Sequence, residues 1–392
     1  MHLTRRIMTI AVLLSVPWSA TGCPGDDSAS DDSATSSPGS TGTAPTTSAT
    51  ADSSGGSGSG GPTATGDSGS DSGSGDDSGS GDTTGQPVVC GTPAQLGVLS
   101  PSEGNAVGFA VDGTTVYLAS TSGGLFVVDA SDPSKPAEIG QYDFGTGNLA
   151  HRVAYDGTTI FVGLRGSGWA IVDAADPSMI LPLSENDTVD ARDVAVSGAT
   201  MYVADNNGLL SYDVTDPSSP VPLTTDLVLP GSTETVQLSG DVAFVASIGH
   251  GLSAVDISDP GALMELSSLQ IGNGSERLAV EGDLVYVSHA DGLSIVDASD
   301  PSMLVEVGSY VRDRAAAVDT DGTKVFLTGD DTASIQVPFL AVLDAADPQA
   351  VIELDITNDD FADPVWLVFA DGTLYATVED DDSLHVFDAC PQ

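Results

Sequence analysis

The chain has 392 residues, with 57 Asp or Glu against ten Lys or Arg, and a formal net charge of −47 at neutral pH. So acidic a chain argues against nucleic acid as a partner and against direct docking on an anionic lipid surface. The charge is uneven along the sequence, and three regimes follow one another.

Residues 1–22 read as an export signal. His2, Arg5 and Arg6 precede an apolar run from Ile7 to Val16, and small residues follow up to Gly22. The apolar run is too short to span a bilayer as a helix. Ser19-Ala20-Thr21-Gly22-Cys23 resembles a bacterial lipobox, with Ala20 where Leu is usual. That resemblance implies cleavage before Cys23 and a lipid on its sulfur, so a membrane is an expected partner. Ordinary secretion with an incidental cysteine is the competing reading. The resemblance places the protein in the bacterial cell envelope, outside the cytoplasm, on the outer membrane or cell surface rather than the inner membrane.

Residues 23–86 form a tether. After Cys23 it is almost only Ser, Gly, Thr, Asp, Ala and Pro, and no apolar periodicity survives. Such a segment buries too little surface to offset chain entropy, so disorder is expected. Its Gly/Ser content and ten Asp residues predict a flexible, self-repelling coil spanning roughly 40–50 Å.

Residues 87–392 are the folded part, with 47 acidic and eight basic residues. The sequence V-D-A-S-D-P recurs through it. Its first Asp falls at Asp129, Asp173, Asp213, Asp256, Asp297, Asp344 and Asp388, at spacings of 44, 40, 43, 41, 47 and 44 residues. A strand-rich period in the low forties predicts propeller blades. In one unit, Val194–Val196, Thr200–Ala204 and Leu209–Val214 read as strands, and Val221-Pro222-Leu223 begins a fourth. The Asp-Pro step fits a type I turn, with Pro presetting φ and Asp accepting a backbone N–H. A ring of calcium sites is the rival reading of these aspartates, but no loop carries the full spaced ligand set with its Gly. No cofactor is expected.

The V-D-A-S-D-P stretches, with the A-x-x-V-x-V-x-G and Y-V-A segments ahead of them, resemble the LVIVD repeat family over residues 106–392. Val127-Val128-Asp129, Ile171-Val172-Asp173 and Ile295-Val296-Asp297 carry the likeness best, and Leu209-Leu210-Ser211-Tyr212-Asp213 departs from it. The resemblance implies a β-propeller on a bacterial surface or exported protein, and brings no catalytic motif with it.

The expected fold is therefore all-β: a seven-bladed β-propeller with four antiparallel strands per blade. The last unit ends at Gln392 before a fourth strand, while Thr92–Gly97 parallels Lys135–Gly140. Residues 92–99 should then complete blade seven and remove an open edge. In this frame Cys90 and Cys390 fall about two residues apart across the closure, which predicts a disulfide between them.

Propeller ligands sit at the channel mouth, lined by the starts of the innermost strands and the turns between second and third strands. The first set offers His151, Arg152, Arg192, Asp193, Glu234, Glu276, Arg277, Arg312, Asp313, Arg314 and Trp366; the second offers Arg165, Asp205, His250, His289, Asp330, Asp331 and residues 379–382. Arg152, Arg192, Arg277, Arg312 and Arg314 read as sharing one structural position. That predicts either a guanidinium-lined funnel for an anionic ligand or a ring of structural salt bridges. His151, His250 and His289 belong to different blades without paired spacing, so no metal site is assigned. No nucleophile motif appears. The leading expectation is a monomeric, non-catalytic scaffold binding a protein or glycan; the alternative is an exported hydrolase or lyase working at the channel mouth.

Overall fold

The structure is a computed structural model. It describes residues 93–391, except 225, 273, 275–276, 332–336, 358–363, 379–381 and 390. The lipobox with Cys23, the tether, Cys90, Cys390 and Glu276 lie outside the described residues.

Seven antiparallel sheets make a seven-bladed β-propeller, as the repeat predicts. The innermost strands are Ala106–Asp112, Leu149–Tyr155, Ala191–Ser197, Ser232–Ser239, Arg277–Glu281, Ala315–Thr320 and Pro364–Ala370. The middle two strands of each blade are buried nearly throughout, as in Thr115–Ser120 and Gly124–Asp129 of blade 1. They read as continuous apolar runs because both faces of a blade are covered by neighbours. The hydrophobic clusters confirm this. One joins Leu125 and Val127 of blade 1 to Ile160 and Val172 of blade 2. Another joins Phe109 and Leu118 of blade 1 to Tyr375 and Val386 of blade 7.

The ring closes as the sequence indicates. Ala94–Leu99 pairs antiparallel with Ser383–Asp388, with Ala94 opposite Asp388 and Leu99 opposite Leu384. An N-terminal strand thus supplies the outer edge of blade 7.

The repeat aspartates are turn formers. Asp129, Asp173, Asp213, Asp256, Asp297 and Asp344 each accept the backbone N–H two residues on, at 2.8–3.0 Å. The second Asp of the motif does the same: Asp132 holds the N–H and hydroxyl of Ser134, and Asp300 those of Ser302. These bonds favour the ionised form and lower both carboxyls below their ordinary range.

The same turn also joins blades. In five of the six Asp-Pro turns the proline carbonyl reaches the preceding blade near the bulge of its outer strand; that of Pro260 instead accepts from Ser211 Oγ on the third strand of blade 3. Ser184 Oγ donates to Pro217 O at 2.7 Å, and Ser267 Oγ to Pro301 O at 2.7 Å. Where the outer strand has glycine, the carbonyl packs directly on the backbone. A Cβ on Gly140 would lie 2.1 Å from Pro177 O, one on Gly97 2.3 Å from Pro133 O, and one on Gly308 1.7 Å from Pro348 O.

Two units depart from the pattern. In blade 3 the fourth strand is split into Val221–Pro222 and Leu227–Val228. Pro220 and Pro222 cannot donate to a ladder, and after the Leu223 N–H, which donates to Ser211 O at 2.9 Å, regular pairing resumes only at Leu227. In blade 6 the hairpin of the middle two strands is longer, with Lys324–Asp331 paired to Val337–Asp344.

The Pro–Gly contact gives a direct test. Gly140→Ala should destabilise the fold by about 1–3 kcal/mol through overpacking against Pro177 O. Urea unfolding of the variant beside the native chain measures it, and an unchanged midpoint would remove the contact's structural role.

Candidate functional site at the channel mouth

Six of the seven innermost strands start with a register shift, as between Ala150 and Arg152, Ala191 and Asp193, Thr233 and Thr235, and Pro364 and Trp366; the described part of the seventh, Arg277–Glu281, pairs without one. A bulge sets two residues against one on the partner and re-aims side chains. This is what turns His151 with Arg152, and Arg192 with Asp193, toward the mouth.

The five arginines do not share one position, contrary to the sequence expectation. Arg152 and Arg277 occupy the third place of the A-x-x-V frame, and Arg192 the second. Arg312 and Arg314 precede the sixth innermost strand, which starts at Ala315; Ala316 and Ala317 hold the equivalent places. Val318 is the valine of that frame, so the offset was visible in the sequence.

Their partners differ accordingly. Arg192 makes an ion pair with buried Glu234, and its Nε lies 3.5 Å from Asp190. Arg312 pairs with Glu353 of its neighbour's outer strand at 3.7 Å and lies 4.5 Å over the Phe339 ring. Arg314, with φ of 39°, pairs with buried Asp330 at 3.2 Å. These three match the salt-bridge reading. Arg165, from the turn set, joins the mouth: it lies 3.9 Å from Glu234 and 3.4 Å from His151 Nε2.

Arg152 is different. It is 1% exposed, and its Nη1 donates to His151 O at 2.9 Å. Its Nε and Nη2 are buried without a hydrogen-bond partner. Its guanidinium lies 4.2 Å from the centroid of the Trp366 ring, and that of Arg277 lies 5.4 Å from the same ring. Arg152 comes from blade 2 and Trp366 from blade 7, and the side chain passes blade 1 at Gly108. A Cβ there would sit 3.0 Å from Arg152 Nη1 and 2.3 Å from His151 O. Burial, with Arg277 as the nearest like charge, pushes the Arg152 pKa well below its ordinary value; Asp193 and Glu234 oppose the shift. Burial, then the charges of Arg152, Arg277 and Arg165, pushes the His151 pKa well below its ordinary value, and its Nδ1 lies 3.3 Å from Arg192 O.

Below this layer the frame carries small side chains, including Ala154 and Ala195, and the channel opens into cavities of about 230 and 260 Å³. Gln237 and Trp366 line both, and Arg277 and Asp319 line the first. Asp193 accepts from the N–H of Val194 (2.9 Å) and Val236 (3.0 Å), tying blade 3 to blade 4. Asp319 accepts from Thr320 (2.9 Å) and Phe369 (2.7 Å), tying blade 6 to blade 7. Burial pushes both carboxyls up to about 6.

The remaining candidates are dispersed. Burial lowers the His289 pKa below its ordinary value. Its Nδ1 accepts the Asp291 N–H at 3.2 Å, and its Nε2 faces Ser294 Oγ at 3.1 Å, which donates to Glu306. That ring is committed inside its blade. Asp205 caps its own turn, accepting from Asp190 and Asn207. His250 lies in its hairpin turn, with its N–H donating to Ser247 O. Asp313 precedes the sixth innermost strand beside Arg314. Asp331 ends the lengthened hairpin, opposite Val337.

The comparisons agree with this architecture. The family model described as LVIVD repeat matches residues 103–144, 189–223, 230–270 and 273–311. The chain carries LVIVD repeats. Among solved structures it is similar to the WD40 propeller domain of Doa1 (TM-score 0.58, 11% identity, covering 75% of this chain and 96% of that one). It is also similar to the computationally designed Ika8 protein (TM-score 0.53, 11% identity, 75% and 99%). BamB from Moraxella catarrhalis is a third (TM-score 0.51, 16% identity, 76% and 90%). At these identities the LVIVD chain shares a fold with them and no more. No curated protein matches the sequence.

The buried carboxyls make stability pH-dependent in a defined sense. Because their folded pKa is raised to about 6, the native state binds protons that the unfolded chain does not, down to about pH 4. Their contribution to stability should rise as pH falls from 7 toward 5, while His151 and His289, whose pKa burial lowers, contribute in the opposite sense as pH falls through the ordinary histidine range. The turn carboxyls, lowered in the fold, act oppositely and lose their contribution below about pH 4. Urea midpoints from pH 4 to 8 check this. Asp319→Asn should flatten the slope between pH 5 and 7, and an unaltered slope would rule Asp319 out as a source.

Proposed function

We propose that this LVIVD-repeat protein is a lipid-anchored envelope protein whose propeller is a non-catalytic receptor, taking an anionic group of a protein or glycan at the arginine-lined mouth. One observation carries the reading. Arg152 is fully buried at the mouth, with Nε and Nη2 unbonded and no carboxylate within ion-pair distance among the described residues. Burying a cation without a partner is costly unless something supplies the countercharge. A carboxylate, sulfate or phosphate offers the paired acceptors that a guanidinium fork requires, and taking one up requires the side chain to move, since Nε and Nη2 are closed off from solvent. Arg277 and Arg165 lie near enough to act on its charge, and the aromatic face of Trp366 holds two of the guanidiniums in place.

The acidic exterior of the domain repels anions at long range, and salt screens that repulsion while leaving a buried contact largely intact. Binding should therefore weaken little, or strengthen, between low and physiological salt.

Calorimetric titration of the full chain with oligoglutamate, an oligogalacturonate and inorganic phosphate tests the site. Arg152→Met, checked for an intact melting transition, should lower affinity for the bound anion by about tenfold or more. Equal affinity would overturn the mouth as the site, and product formation from the oligosaccharide would favour the exported hydrolase or lyase instead. The anchor is tested separately. Cys23→Ser should move the protein from the membrane fraction to the soluble one, and retention on the membrane would remove the lipid.

A further inference from the structure

One layer below the arginines, the fifth place of the A-x-x-V frame follows its own pattern. Four blades carry alanine there, Ala110, Ala154, Ala195 and Ala279, and blade 7 carries Val368. Blades 4 and 6 break the pattern with Gln237 and Asp319, and both line the channel cavity of about 230 Å³. Arg277 of blade 5, between them in ring order, lines the same cavity from the third place. That place is two residues nearer the mouth, about 7 Å along a strand. Trp366 and Val368 add apolar wall. All five residues are partly accessible, unlike the core positions that flank them. The two polar exceptions to an apolar layer thus meet at one cavity, with a guanidinium above.

The polar groups of the cavity keep bonding capacity. Gln237 makes no side-chain hydrogen bond among the described residues. Asp319 accepts one backbone N–H on each oxygen, from Thr320 on Oδ1 and from Phe369 on Oδ2. A carboxylate has about four acceptor sites, so each oxygen can take a further donor. Asp319 has no ion pair among the described residues, and the charge that acts on it is Glu281, of like sign. Asp193, by contrast, lies within reach of the Arg152 and Arg277 charges. A mostly buried carboxylate without a countercharge gains from a cation brought to it. A simple anion would meet Asp319, however, and a simple cation would meet Arg277. The complement is a molecule carrying both charges. The cavity is smaller than the roughly 300–1,000 Å³ of pockets for drug-sized ligands, so the molecule is small. With a charge-assisted hydrogen bond of about 2.8 Å at each end, an α-amino acid reaches between groups one layer apart.

We propose that this cavity is a binding site for a free, small α-amino acid. Its carboxylate meets Arg277, its ammonium meets Asp319 and the Gln237 amide oxygen, and its side chain lies toward Trp366 and Val368. The site adjoins the mouth and shares Arg277 and Trp366 with it, but it takes a zwitterion and does not use Arg152.

The test is calorimetric titration of the full chain with glycine, L-alanine, L-valine and, as a neutral sugar, D-glucose. At least one amino acid should bind. Its desamino acid and its amide, each lacking one charge, should bind at least about tenfold more weakly. Asp319→Asn should lower amino-acid affinity by a similar factor and leave uptake of an anion at the mouth undiminished, which separates the two sites. Gln237→Ala gives blade 4 the alanine of four other blades, so the fold should persist while affinity falls about threefold or more. Asp283→Asn, which removes an exposed charge elsewhere, should leave affinity within about twofold. No binding of any of the three amino acids, equal binding of either analogue, or undiminished affinity in the Asp319→Asn variant would overturn the site. Binding of D-glucose alone would assign the cavity to a neutral sugar and overturn it as well.

Discussion

Each blade is a sheet with two apolar faces, and neither can be left to water. That constraint organises the rest of the molecule. Every hydrophobic cluster is shared by two adjacent blades: Trp169 and Ile171 of blade 2 with Met201 and Val203 of blade 3, Phe244 and Ala246 of blade 4 with Val285 and Val287 of blade 5. A linear stack would leave two terminal faces bare, so the sheets must close into a ring. The N-terminal strand completes blade 7 for the complementary reason, since it removes a sheet edge at the seam. At the rim the proline carbonyls fix the angle between neighbours by packing on Gly or bonding to Ser. A turn that began as local backbone chemistry therefore also sets the geometry of the ring.

Much of this fold was legible because its signals are local and repeated. An Asp that accepts the N–H two residues on does so whatever surrounds it, and six copies make the period plain. The closure was legible because Thr92–Gly97 copies Lys135–Gly140. The joining role of the proline carbonyls was not, because a repeat gives spacing along the chain and not which atoms face each other between units. The broken strand of blade 3 was half visible. Its prolines and the Leu-Leu-Ser-Tyr-Asp departure were on view, but nothing in one unit shows that Tyr212 would meet a tryptophan from the unit before.

The mouth was harder to read than the fold because charge clustering in sequence does not survive projection into three dimensions. Arg312 and Arg314 lie close in sequence to a channel strand yet pair elsewhere, held by Glu353 and Asp330. Arg192 is held by Glu234. The bulges at the strand starts, which decide which residue of a pair turns inward, leave no composition signal. Arg152 could be named as a candidate, but its isolation from carboxylates depends on Gly108 of the adjoining innermost strand and on Trp366 more than two hundred positions along the chain.

Trp366 draws these threads together. Its Nε1 donates to Phe109 O at 3.2 Å, which ties blade 7 to blade 1 across the seam of the ring. Its ring receives guanidiniums from blades 2 and 5. One side chain thus helps hold the closure and supports the cations of the mouth. The neighbours that would crowd it, Gly108 on one side and Ala317 on the other, are the smallest side chains at their place in the frame, so both arginines can reach across a blade to it. A larger residue at either place would force the arginine back toward its own blade. The mouth is therefore tied to the packing of the ring, and its charge arrangement depends on the closure that makes the propeller.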